Sequence, residues 1–322
     1  MSNDWVALHV FYHSDANPII VEAVRPLVAS LREEGLITGW FFIKYWQEGP
    51  HIRVRLKPTL PGNRETVTTR AVVAIEEFLK RRPALYETDS EGLADLYKRM
   101  YLAEYGEDSW NEEYGEEGAM PFRPNNSIAL MPYEPEYGRY GGVAGVELAE
   151  WHFERSSDMV AGLLTTSNTH VRPVLLGLAT QLSLMTAYTF LRTDEKVANF
   201  FRRYRSFWET AYQESSESQH ESFDKSLDLN RESFEGRVAR IRSLTDQDGP
   251  LEASGIERTW LTHCRELRDR VAKTDFDFPA PMTDEELAAV LLSSYIHMTN
   301  NRLGAAILDE IYLSYLIERV LT

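Results

Sequence analysis

Beyond Gly142 the apolar residues recur at three- and four-residue intervals almost to the last position, and such a pattern can be buried only as packed helices. Helices are expected over Val146 to Leu164, Arg172 to Leu191, Glu195 to Glu214, Arg258 to Lys273, and from Thr283 onward. The last of these has a marked start. Thr283 with Glu286 forms a capping box, and Met282 and Leu287 are spaced as a hydrophobic staple. Asn300-Asn301 and Gly304 either end one helix and begin another or merely interrupt a long one. Between Ser215 and Gly249 the chain is polar, with apolar residues at helical spacing only from Phe234 to Leu244, so partial mobility is expected there.

The first 142 residues follow a different pattern. Trp5 to Tyr12 is apolar and β-prone, Asn17-Pro18 opens an amphipathic run through Glu34, and Gly35 closes it. Gly39 to Trp46 and His51 to Leu56 read as two strands about a Gln47-Glu48-Gly49-Pro50 turn, followed by a helix from about Glu65 to Arg82. A β-α-β-β-α order suits a sheet with helices on one face. The expected class is α+β, with residues 1–142 as an α+β lobe and 143–322 as a helical lobe. Residues 86–118, acidic and aromatic with little period, are expected to be a solvated insertion, with a partner-docking surface as the less favoured alternative.

Composition removes several function classes. A net charge of −16 repels a nucleic-acid backbone unless basic residues gather on one face. One cysteine, Cys264, allows no internal disulfide and suits a reducing compartment; its ordinary role is that of a small core residue. No secretory leader and no bilayer-spanning segment is read from the sequence, so the chain is expected to be cytosolic and without a membrane partner. No H-E-x-x-H, Walker or G-x-G-x-x-G pattern occurs, and His9, His13, His152 and His170 lack ligand spacing. Acid–base chemistry without cofactor or metal is what these absences leave.

Three constellations stand out. On a strand, Ile52, Val54 and Leu56 face one side and His51, Arg53 and Arg55 the other. Arginines in water are the common fate of such a face, but adjacent guanidinium forks also suit a ligand bearing two carboxylates. The run Tyr133 to Gly142, with Pro135, three glycines and three tyrosines including Tyr140, is a constrained loop in which Glu136 and Arg139 can pair. An exposed ion pair of little energetic weight is the bland alternative. On the last helix Ser293, His297 and Asn301 share one face beside Arg302, more like a lined pocket than an isolated core histidine.

Taken together, Trp40 to Trp46 leading to Pro50 to Arg55, Tyr133 to Gly142 leading to Glu150, Phe153 and Ser156-Ser157-Asp158, and His297-Met298 before Asn301-Arg302-Leu303 resemble a known family. It is the C-terminal, thiopeptide-type bacteriocin biosynthesis domain of class I lanthipeptide dehydratases, in free-standing form. The resemblance implies elimination of glutamate from glutamylated Ser or Thr of a ribosomal precursor peptide. It also implies a separate partner that uses glutamyl-tRNA to add that glutamate, and a homodimer as in some relatives. Arg53 and Arg55 match the family's strand arginines, Glu136 and Arg139 its loop pair, and His297 its helix histidine. Lys44 stands where many relatives carry arginine.

By that resemblance Arg53 and Arg139 would hold the carboxylates, Arg55 and His297 would lie nearest the proton transfers, and Glu136 would orient an arginine. His51, Tyr140, Ser293, Asn301 and Arg302 are candidate substrate contacts. One cationic pocket built from a sheet edge, the glycine loop and the late helix is the expectation. Two rivals differ in kind: a pyridine synthase that joins two dehydroalanines by formal cycloaddition, and a non-catalytic peptide-binding subunit of a dehydratase complex.

Overall fold

The computed structural model describes residues 4–116, 118–212, 217–246 and 253–322, which fall into two compact units. The first unit comprises residues up to Pro135 with Val160–Thr166, and the second comprises Glu136–Met159 with the chain from Ser167 onward.

The first unit opens with β1 (Val6–Phe11), then a helical run of α1 (Asn17–Ile19), a π segment (Ile20–Val24) and α2 (Arg25–Glu33). Pro18 sits where a helix has no need of its N–H, and Gly35, at φ +66°, ends the run. β2 (Ile37–Tyr45) and β3 (His51–Pro58) form the expected hairpin, and α3 (Arg64–Arg81) follows. The sheet order is β2-β3-β1-β4, antiparallel throughout; β4 (Ser127–Leu130), which no sequence signal announced, is the edge strand beside β1.

Register sets the two faces. Val6, Leu8 and Val10 lie opposite Leu56, Val54 and Ile52, and Trp40 and Phe42 oppose Leu56 and Val54 from the other side. All are buried, and they make the apolar face. Ala7, His9 and Phe11 pair with Arg55, Arg53 and His51 on the opposite face, where Phe41, Ile43 and Tyr45 also project. The arginine strand is thus interior to the sheet, correcting the expectation that it forms a sheet edge.

The stretch expected to be an irregular insertion is helical: α4 (Ser90–Tyr105) and α5 (Glu107–Tyr114). Asp89 caps α4 by accepting from the Gly92 N–H, and Tyr97, Tyr101, Trp110 and Met120 close a small aromatic core with Trp46, Tyr114 and Phe122 against it. Its acidic residues lie outward while its rings recur at helical spacing, so charge hid the period.

The second unit starts with the short α6 (Tyr137–Tyr140) and the long α7 (Gly142–Thr166), whose last residues belong to the first unit. Then come α8 (Arg172–Leu191), α9 (Asp194–Tyr212), α10 (Glu217–Thr245), α11 (Gly255–Val271), α12 (Asp284–Leu303) and α13 (Ile307–Leu321). The polar stretch from Ser215 to Gly249, where helical spacing was read only over Phe234 to Leu244, contains a 29-residue helix, and the ends of that stretch lie outside the described residues. α8 is long and apolar enough to cross a bilayer, unlike what the sequence suggested, but 61% of its apolar window is buried within the fold, as befits a core helix.

The capping box of Thr283 and Glu286 is present, and Gly304 at φ +97° ends α12 with its N–H bonded to Asn300 and Asn301 carbonyls. Two helices, not one, therefore follow Thr283.

Candidate functional site

In the first unit, β3 places Arg53 and Arg55 two residues apart on the polar face of the sheet. Arg55 is only 4% exposed. One guanidinium nitrogen, Nη2, lies 3.1 Å from His9 Nε2, and its Nε and Nη1 are buried with no acceptor. Tyr133, 5.5 Å from its Cζ, belongs to an aromatic trio with Trp5 and Phe41. Burial first, then the adjacent Arg53, push the Arg55 guanidinium down to about 9, so the group still carries its charge at neutral pH.

Arg53 donates from Nε to His51 Nε2 at 3.2 Å and from Nη2 to Gln47 Oε1 at 3.4 Å, and its Cζ sits 3.6 Å from the centre of the Tyr45 ring. Two side chains carry contacts on from there into the helical insertion. Tyr45 bonds to Glu104 and Tyr105 through its hydroxyl, and Gln47 Nε2 donates to Glu113 and Tyr114.

Both imidazoles beside the arginines are neutral. His51 donates Nδ1–H to the Gly49 carbonyl at 2.9 Å and accepts from Arg53 at Nε2, which settles its tautomer. Burial, with the Arg53 charge next, holds His51 down to about 3 and His9 down to about 2. Among the described residues no carboxylate is ion-paired with Arg53 or Arg55. Two cations with only neutral partners, one of them buried with unmet donors, form an anion-receptive surface. His9 was missed in the sequence because its significance lies in the β1–β3 register; its only signal was a polar residue amid an apolar strand.

In the second unit the glycine-rich loop folds into α6. Arg139 Nη1 meets Glu136 Oε2 at 3.3 Å, a half-exposed pair across one helical turn. Gly141 and Gly142, at φ +72° and +85°, turn the chain into α7 where a side chain would collide: a Cβ on Gly141 would come within 2.6 Å of Phe278. Tyr140 is buried, with its hydroxyl 2.7 Å from Ser294 Oγ.

On α12, His297 Nδ1 lies 2.9 Å from Oε1 of Glu310, a fully buried carboxylate on α13. Tyr204 donates its hydroxyl to Glu310 Oε2, and Asn300 Nδ2 does so at 3.3 Å. Burial, then Glu310, drive the Tyr204 hydroxyl well above the usual phenol range, so it remains a donor. The Trp208 ring lies 4.8 Å from the imidazole. Glu310 was missed in the sequence; its signal was an acidic pair, Asp309-Glu310, between apolar residues at the start of the last helix.

The other two α12 candidates are held differently. Ser293 donates to the Ala289 carbonyl of its own helix at 2.8 Å. Arg302 has no exposed surface: Nε donates to Ser157 Oγ at 3.1 Å, Nη1 to the Met298 carbonyl, and its Cζ lies 4.8 Å from the Phe153 ring centre. Burial pushes it down to about 9. The Phe153 to Ser157 segment and the Asn301-Arg302 segment therefore meet in the core, and Arg302 joins α7 to α12. Asn301 is half-buried on that same helix.

His51, Arg53 and Arg55 thus belong to the first unit, and Glu136, Arg139, Tyr140, Ser293, His297, Asn301 and Arg302 to the second.

Several solved structures share this fold, three of which follow. The thiomuracin-biosynthesis pyridine synthase TbtD matches with TM-score 0.77 and 22% identity over 98% of this chain and 97% of its own. TsrL matches with TM-score 0.66 and 17% identity over 98% of this chain and 93% of that one. The tRNA-dependent lantibiotic dehydratase MibB from Microbispora sp. 107891 matches with TM-score 0.54 and 17% identity, over 99% of this chain but 28% of the dehydratase. No curated protein matches significantly by sequence. The family profile described as lantibiotic biosynthesis dehydratase C-term covers residues 5–321, and with nearly every residue matched the chain belongs to that family.

Proposed function

We propose that this protein eliminates glutamate from glutamylated serine or threonine of a ribosomal precursor peptide, acting after a separate glutamylating enzyme. One observation carries it: Arg53 and Arg55 share a strand face with neutral imidazoles and, among the described residues, have no carboxylate partner. The departing glutamate has two carboxylates, and each charge-assisted bond to a guanidinium contributes about 1.5–3 kcal/mol.

In the reaction a base removes the α-proton of the esterified residue and the C–H electron pair becomes the Cα=Cβ bond. As that bond forms the Cβ–O bond breaks with its electrons on the ester carboxyl, leaving dehydroalanine or dehydrobutyrine and free glutamate. The first unit supplies guanidiniums suited to the developing carboxylate. The second supplies His297, a carboxylate-anchored imidazole suited to proton transfer, and Arg139 held by Glu136. The related MibB is described as a tRNA-dependent lantibiotic dehydratase, which accords with a glutamylated peptide as substrate.

Formal cycloaddition of a dehydrated peptide to a pyridine macrocycle has its own support, the end-to-end likeness to the pyridine synthase TbtD. One assay separates the two. Purified protein is incubated with a glutamylated peptide and, separately, with a peptide already bearing two dehydroalanines, and products are read by mass spectrometry. Loss of glutamate from the first, abolished by His297→Ala or Arg53→Ala, is the expected outcome. A macrocycle from the second without action on the first overturns it.

A further inference from the structure

We propose that Glu310 is a positioning residue for acid–base chemistry at His297, holding the imidazole in the Nδ1–H tautomer so that Nε2 is the nitrogen that exchanges protons. The geometry is specific. Glu310 stands in the first turn of α13, where the helix N-terminus favours negative charge, and it has no exposed surface. Its two oxygens have separate tasks. Oε2 accepts from the Tyr204 hydroxyl and from Asn300 Nδ2, an amide nitrogen that can only donate, while Oε1 faces His297 Nδ1. Three elements, α9, α12 and α13, therefore fix the rotation of one carboxylate, and that carboxylate fixes one ring.

A carboxylate can only accept, so Nδ1 must carry the hydrogen and the Nε2 lone pair is left for a substrate proton. Trp208 against the ring restricts its tilt. The catalytic role of His297 rests on the elimination reading above; the tautomer rests on the geometry alone, and the two are separable by experiment.

Glu310→Gln is the informative variant. The donors of Tyr204 and Asn300 will draw the glutamine oxygen to the Oε2 position, which turns the amide NH2 toward His297 Nδ1. Nδ1 must then accept, and the ring changes to the Nε2–H form. Nitrogen-15 NMR of histidine-labelled protein, with His297 assigned by His297→Asn, reads the tautomer directly. The expected result is Nδ1–H in the wild type and Nε2–H in Glu310→Gln, with Tyr204→Phe retaining Nδ1–H.

With a glutamylated peptide, kcat should fall by about two to four orders of magnitude in Glu310→Gln with KM nearly unchanged, in line with known effects of a wrong histidine tautomer. An Nε2–H tautomer in the wild type, or an unchanged tautomer in a folded Glu310→Gln, overturns the proposal. If Glu310→Gln does not fold, the wild-type tautomer alone decides it. A wild type that does not release glutamate refutes the elimination reading, while the NMR measurement still decides what Glu310 does.

Discussion

Arg55→Met should make the ligand-free protein more stable, against the usual trend for a buried substitution. Arg55 has two buried nitrogen donors, Nε and Nη1, with no acceptor among the described residues, and each such donor costs about 1–3 kcal/mol. Methionine removes both and fills much of the same volume. Opposing this, His9 Nε2 loses its donor, again about 1–3 kcal/mol, and the contact with the Tyr133 ring, roughly 0.5–1 kcal/mol, is lost. Relief of the like charge beside Arg53 adds to the gain. The balance is a stabilisation of about 1–2 kcal/mol, which for a chain of this size raises Tm by roughly 2–6 °C.

The second arm uses the ligand. Glutamate or glutarate should stabilise the wild type in proportion to the logarithm of its concentration above Kd, reaching about 2.7 kcal/mol at a hundredfold excess over Kd, and should have little effect on Arg55→Met. Thermal melts in a carboxylate-free buffer, with and without diacid, measure both. A variant that melts several degrees below wild type and keeps the full diacid shift would refute the view that Arg55 is an uncompensated cation awaiting an anion.

Acid should destabilise the protein through its depressed histidines. His9 and His51, held down to about 2 and about 3 when folded, take up protons in the unfolded chain near 6.5. Stability is therefore greatest above pH 6.5 and falls as pH drops toward 3, with each group contributing a slope of up to about 1.4 kcal/mol per pH unit. Denaturant melts of wild type and His9→Gln between pH 7 and 4 should show the slope reduced by close to one proton in the variant. Glu136→Gln removes a half-exposed pair and should change stability by less than about 1 kcal/mol, so a large loss of kcat at unchanged Tm would mark a role in orienting Arg139. Gln47→Ala removes one hold on Arg53 and its tie to Glu113 and Tyr114. A rise in KM for glutamylated peptide of about three- to tenfold is expected from a single hydrogen bond, and an unchanged KM would place the insertion outside Arg53's control.

Much of the local structure was legible in the residues themselves. Alternation over His51 to Leu56 identified a strand with one apolar and one cationic face, and Thr283 with Glu286 marked the start of α12. These succeed because propensity, capping and side-chain period act over neighbours in the chain. β4 was not legible, since four residues carry too little period and pair only because β1 offers an edge. The α4–α5 helices were hidden by an acidic surface over an aromatic core.

The candidate site divides along the same line. Arg53, Arg55, Glu136, Arg139 and His297 could be named from sequence because each lies in a short, compositionally unusual motif. Their environments could not. That Arg55 is buried beside His9 depends on a pairing 46 residues apart, and that His297 is held by Glu310 depends on the turn at Gly304 bringing two helices together. Residue type and local spacing decide which groups are available for chemistry. Hydrogen-bond partners, burial and hence protonation arise only when distant segments pack, because desolvation and charge proximity are properties of the folded chain.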